Sequence, residues 1–176
     1  KGKGLNYGID FTFEHYMNKG FYYMFTSSIF SSQYKTTKDK WFNTRYNRNY
    51  VFNLLAGKEW YIGKNRQNIF SVNGKFTYQG GDRYSPINVA LSQKQQDAVY
   101  DESNPYSCQL SPVLLAHLTI TYKINKKYLS HEFSAKLMNI TGYKDFYGHR
   151  YNFMTNSVEE ERDAIIMPNI SYKIEF

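Results

Sequence analysis

The residues able to make or break bonds are few and scattered. Asp10 and Glu14 share one face of an alternating segment, where two carboxylates read as polar wall groups rather than as an acid and base pair. His15, His117, His131 and His149 form no i, i+2 or i, i+4 pair of the kind a metal site uses. Cys108 is the one cysteine, which excludes an internal disulfide framework and a cysteine-based zinc site. Ser, His and Asp all occur, but without a nucleophile-elbow motif. No catalytic, metal or cofactor residue is assigned.

What the sequence has in quantity is rings. Its 176 residues include 18 Tyr, 13 Phe and 2 Trp, 19% of the chain, against 21% charged residues. Mean hydropathy is −0.64. No stretch approaches the roughly 18 consecutive apolar residues of a membrane helix, and so many aromatics argue against disorder. The formal charge of +7 allows an anionic partner. The chain opens on Lys1-Gly2-Lys3-Gly4, without an initiator Met or an apolar leader, and reads as a piece of something longer.

The elements that carry these residues have period two. Ile166, Pro168, Ile170, Tyr172, Ile174 and Phe176 alternate with polar neighbours. So do Leu5 to Phe13, Phe70 to Tyr78, Leu114 to Ile124 and Leu129 to Leu137. Residues 50–62 follow with Lys58 as an intruder, and residues 21–34 are apolar on both faces at their start, which leaves their orientation open. The pattern predicts seven long antiparallel strands, about 4–17, 21–34, 47–62, 68–80, 111–125, 129–142 and 164–176, and no helix. The fold class is all-β.

Connections alternate short and long. Tight turns at 18–20, 63–67 and 125–128 separate long links at about 35–46, 81–110 and 143–163. That rhythm is the one of a meander barrel in an outer membrane, with short periplasmic turns and long external loops. Tyr16, Phe21, Tyr22, Tyr23, Trp60, Tyr61, Tyr122 and Tyr128 fall near the short turns, and Tyr34, Tyr50, Tyr78 and Tyr84 near the long ones. Rings at both strand ends suit two membrane–water boundaries, although strands favour aromatics in any setting.

Ile170-Ser171-Tyr172-Lys173-Ile174-Glu175-Phe176 resembles the terminal signature by which bacterial outer-membrane barrels are recognised for insertion, carried here by Ile170, Tyr172, Ile174 and Phe176. Further stretches are Gly4-Leu5-Asn6-Tyr7-Gly8-Ile9-Asp10, Asn43-Thr44-Arg45-Tyr46-Asn47, Gly80-Gly81-Asp82-Arg83-Tyr84-Ser85-Pro86-Ile87 and Leu137-Met138-Asn139-Ile140-Thr141. Together they make the chain resemble the last third of a TonB-dependent outer-membrane receptor, with Gly142-Tyr143 departing from the family's usual continuation. The resemblance implies that residues 1–176 are the C-terminal segment of a 22-stranded barrel, strands 16 to 22. The plug domain, the earlier strands and the segment that contacts TonB lie outside this chain. It further implies a bacterial outer-membrane location and active uptake of a large scarce nutrient of the siderophore, cobalamin, glycan or peptide class, with a surface lipoprotein as a possible partner.

Within that reading the loop at 81–110 supplies candidate ligand contacts, Asp82, Arg83, Gln93, Asp97 and Asp101. The basic, ring-interleaved link at 35–48 would suit single-stranded nucleic acid on a soluble protein. On an external loop it reads as a solvated segment, with Lys38, Lys40, Arg45 and Arg48 as candidate contacts to lipopolysaccharide phosphate; no nucleic-acid partner is assigned. His117 should face the lumen and His131 the outer surface. The reading from another class is a soluble all-β carbohydrate-binding module that stacks sugars on surface Tyr and Trp. Seven strands alone should form an open sheet with two unpaired edges.

Overall fold

The computed structural model describes residues 2–36 and 40–176. In chain order the elements are β1 (Lys3–Asn18), β2 (Phe21–Lys35), β3 (Trp41–Asn43), β4 (Tyr50–Ile62), β5 (Asn68–Gln79) and β6 (Arg83–Tyr84). A short helix, α1 (Val89–Gln95), and β7 (Cys108–Gln109) follow. The chain then forms β8 (Val113–Asn125), β9 (Ser130–Met138), β10 (Asp145–Asn152), β11 (Ser157–Asp163) and β12 (Met167–Glu175).

Seven long strands form one antiparallel meander in the order β1-β2-β4-β5-β8-β9-β12, with β3 added to the end of β2. β1 pairs only with β2, and β12 only with β9, so the sheet among the described residues is open and has two free edges. All three tight turns fall at one end. The first uses Lys19 and Gly20 at positive φ. A side chain at Gly20 would also sit 2.4 Å from the Glu59 carbonyl oxygen, so only glycine closes this turn without displacing its neighbour.

Register turns seven separate alternations into two faces, because directly opposed residues project to the same side. One row runs Phe13, Phe25, Leu54, Phe76, Ala116; another runs Lys58, Val72, Ile120, Ala135, Ile170; a third runs Trp60, Phe70, Tyr122, Phe133, Tyr172. This face is apolar apart from a few positions such as Ser27, Ser31, Lys58 and His131. Lys58 reaches back from it to the short turn, donating to the Lys19 carbonyl at 2.9 Å. The register also orients β2, whose pattern was ambiguous: Phe21, Tyr23 and Phe25 join the apolar face.

The other face is mainly polar and hydrogen-bonded across strands. Thr77 donates to Asn53 Oδ1 at 2.8 Å, Asn53 donates to Thr26 at 3.2 Å, and the Tyr22 hydroxyl donates to Asn73 at 2.8 Å. Lys123 pairs with Glu175 at 2.7 Å. Asp10, Glu14 and His117 lie on this face and His131 on the apolar one. Rings on the apolar face lie near the short turns, as Phe21–Tyr23 and Trp60–Phe70, and near the long loops, as Tyr50–Tyr78, and also between them at Phe11, Phe13, Phe25 and Phe76. Tyr22, Tyr34 and Tyr61 project to the polar side instead.

Among the described residues no second layer covers the sheet. Among the described residues the buried apolar side chains are Leu110, Ala116 and Tyr151, whereas Ile9 is 78% and Ile170 86% exposed. No described helix is long and apolar enough to cross a membrane, which says nothing of strands.

The strand boundaries differ most from the sequence expectation at three places: β12 starts at Met167 rather than 164, where its pairing with Met138 begins, and at the other two an asparagine ends the ladder. β4 starts at Tyr50 rather than 47, after Asn49 at φ 70°. β9 stops at Met138 rather than near 142, because Asn139 adopts φ 55° and turns its side chain into the following loop. There it donates to the carbonyls of Tyr143 and Ile165 and accepts from the Tyr143 amide. The long links are also more ordered than expected, holding α1 and the β10–β11 hairpin.

Candidate functional site

Three long loops meet at the end of the sheet away from the tight turns. What brings them together is a polar knot between the first two. Asn47 is fully buried; its Oδ1 accepts from the Ser32 amide at 2.9 Å and its Nδ2 donates to Asn43 at 2.8 Å. Arg83 crosses from the second loop to donate to the Asn47 carbonyl and to Asn49 Oδ1, both at 2.8 Å. Arg48 answers with 2.6 Å to Asp82 and 3.0 Å to Gln79. Burial lowers the pKa of the Arg83 guanidinium from its ordinary value. Gly80 and Gly81 let the backbones approach this closely: a Cβ there would lie 1.9 Å from the Arg48 oxygen and 2.2 Å from the Leu110 oxygen.

The second loop is built on local caps. The Asn88 side chain accepts the Leu91 amide at the start of α1, and Gln96 closes it in the left-handed region. Ser92, fully buried, takes the Val99 amide at 3.0 Å. Asp101 accepts from Ser103, and those bonds hold its carboxyl below the usual range. The third loop is the β10–β11 hairpin, bent by a bulge between Phe146 and Gly148. It docks on the second loop through Gln93, which donates to the Asn156 carbonyl at 3.2 Å.

His149 is the other point of docking. Its ring lies 5.0 Å from those of Tyr84 and Phe146 and 5.6 Å from Tyr100, and its Nδ1 is 3.1 Å from the Tyr100 hydroxyl. Burial among the rings lowers its pKa; Glu160 opposes the shift and Arg162 reinforces it. Glu160 is itself paired with Arg162 at 2.6 Å.

Open space remains between the loops. A cavity of about 390 Å3 is lined by the rings of Tyr84, Tyr100, Tyr106, Phe146 and Tyr147 and by the charged groups Arg45 and Glu102. A second of about 440 Å3 shares Ser85, Glu102 and Tyr106 with it and extends to Tyr34 and Phe42. A third of about 420 Å3 shares Tyr84 and extends to Cys108, His149 and Glu160.

Of the five ligand contacts expected from the sequence, Asp82, Arg83 and Gln93 line this space, whereas Asp97 and Asp101 do not. Asp82 and Arg83 belong to the knot, Asp97 and Asp101 bond to the amides of Ala98 and Ser103, and Gln93 bridges to the hairpin. Asp82 and Arg83 also line the central cavity. Of the basic set, Arg48 is in the same knot and Arg45 lies 3.7 Å from Asp82. Lys40 donates to Asn104 at 3.4 Å, and Lys38 lies outside the described residues. The ring lining was missed because its members come from three loops with no shared spacing; no sequence signal groups Tyr84 and Tyr100 with Phe146. Among the described residues no group of three His, Cys, Asp or Glu is placed to hold a metal. Comparison with protein-family models, with curated proteins and with solved structures finds no match.

Proposed function

We propose that this chain is the C-terminal segment of the β-barrel of a TonB-dependent outer-membrane receptor, serving active uptake of a large scarce nutrient. The observation that carries the reading is the uncovered apolar face spanning all seven long strands, opposite a hydrogen-bonded polar face. A soluble sheet must bury such a face against a second layer. A barrel wall leaves it to lipid and turns its polar side to the lumen. The open edges of β1 and β12 would be closed by the neighbouring strands of a 22-stranded barrel, since lipid cannot satisfy free backbone groups.

In this reading the tight turns are periplasmic and the three-loop cluster is external. The chemistry is binding and gating: loops and plug hold the ligand, and force through TonB releases it inward. Membrane lipid and lipopolysaccharide are the surrounding partners.

Trp60 tests the reading. It is 43% exposed on the apolar face, and Trp41→Phe leaves it as the single tryptophan. In vesicles containing the full chain, its emission should be quenched by lipids brominated near the headgroup and shielded from aqueous acrylamide. Acrylamide quenching without lipid quenching, in a chain that stays soluble without detergent, would refute the barrel and favour a soluble sugar-binding module.

A further inference from the structure

We propose that the row of cavities between the three long loops is a binding groove for a neutral, chain-like oligosaccharide. The inference names a ligand class for the uptake proposed above; the groove's chemistry stands on its own, and only the transport step rests on that reading.

Shape is the first argument. The three spaces of about 440, 390 and 420 Å3 share walls in succession, through Ser85, Glu102 and Tyr106 and then through Tyr84. Each is within the range of ~300–1,000 Å3 of small-ligand sites. A row of shared-wall spaces suits a ligand with repeating units better than a compact chelate.

The lining is the second. Tyr100 is 39% and Tyr147 57% exposed, so both offer ring surface to a ligand. The negative face of an aromatic ring attracts the weakly positive C–H face of a pyranose, and tyrosine adds a hydroxyl at the rim. Glu102 is exposed and lines the first two spaces, and a carboxylate can accept from two neighbouring sugar hydroxyls.

Charge decides against the anionic alternatives. Arg83 is committed to Asn47 and Asn49, Asp82 to Arg48, and Glu160 to Arg162. Arg45 is shared between Asp82 and the Tyr46 ring. Among the described residues the lining cations Arg45 and Arg83 are held by these bonds, and Glu102, which stands between the first two spaces, sets a negative charge against a phosphate or a polyanionic iron chelate. An extended peptide would pair along a strand edge; β6 and β7 are two residues each and paired to one another, so the rival edge is that of the β10–β11 hairpin, and the titration tells the two ligands apart.

The test is calorimetric titration of the full chain with a panel of neutral gluco-, xylo-, manno- and fructo-hexaoses, at low and high salt. At least one should bind, with affinity independent of salt. Tyr147→Ala and Tyr100→Ala should each weaken it about tenfold, while Tyr100→Phe, which keeps the ring, should not. Glu102→Ala should weaken binding and Glu102→Gln restore it, because a neutral ligand needs the acceptor and not the charge. Hydrogen exchange of the long strands and of the loops at 80–110 and 139–166, unchanged in each variant, separates lost contact from lost folding or undocked loops. Failure of the whole panel, or binding only of ferric chelates or of neutral peptides, would overturn the proposal. The Trp60 quenching result is independent of the groove, so failure of the groove and failure of the barrel are told apart.

Discussion

Asn47→Ala should open the loop cluster without unfolding the sheet. Asn47 is 1% exposed, and its side chain satisfies the Ser32 amide at 2.9 Å and holds Asn43 at 2.8 Å. Alanine leaves the Ser32 N–H without its acceptor, and an orphaned buried donor costs about 1–3 kcal/mol. Asn43 is only partly buried and can turn to water, so its loss adds little. At about 1.4 kcal/mol per factor of ten, local opening should become roughly five- to a hundred-fold more frequent. The neighbouring bonds depend on the same backbone: Arg83 donates to the Asn47 carbonyl, and the Arg83 amide donates to the Arg45 carbonyl at 2.8 Å. Hydrogen exchange read by mass spectrometry should therefore accelerate in peptides covering 41–49 and 80–84 together, while β5, β8 and β9 keep their protection. Unchanged exchange in both loops would refute the knot as the device that joins them. Acceleration across the whole sheet would refute its local character.

Two further outcomes follow from the faces and from His149. Phe11→Arg should cost about 2–4 kcal/mol of stability in lipid if the apolar face meets the bilayer near mid-span. Thr12→Arg, one residue along and beside Asp10 and Glu14 on the polar face, should cost little; equal costs in denaturant titrations from vesicles would count against two-faced strands. His149 is held below its ordinary value of 6.5 by burial, with Glu160 pulling it up and Arg162 pushing it down. The opened loops then bind the proton more readily than the docked ones. Docking of the hairpin is fully present above that ordinary value and is lost progressively as pH falls below it toward the depressed docked value. Protease cleavage within 139–166 should rise over that window, and His149→Phe should make it independent of pH; a wild-type cleavage rate flat with pH would refute the role of His149.

The sequence alone determined the seven long strands of the main sheet, but not the short strands or the β10–β11 hairpin within the links. Period two survives averaging because each residue's side is set by the pleat, and seven such runs separated by Gly- and Asn-bearing turns leave little choice but an antiparallel meander. It also located the polar stretches Asn43-Thr44-Arg45-Tyr46-Asn47 and Gly80-Gly81-Asp82-Arg83 as notable, although it could not show that they bond to each other. That needed the tertiary structure, since Arg83 and Asn47 are 36 residues apart and meet only when β4 and β5 bring their loops to one end. The same holds for α1, whose seven residues are too few to display a helical period and are held by the Asn88 and Gln96 caps. Asn139 likewise ends β9 through bonds to Tyr143 and Ile165 that no alternation reveals. Strand identity is a local property of backbone and side-chain alternation. The groove is a property of three loops converging, and rings from distant positions become one surface only after the sheet has placed their ends side by side.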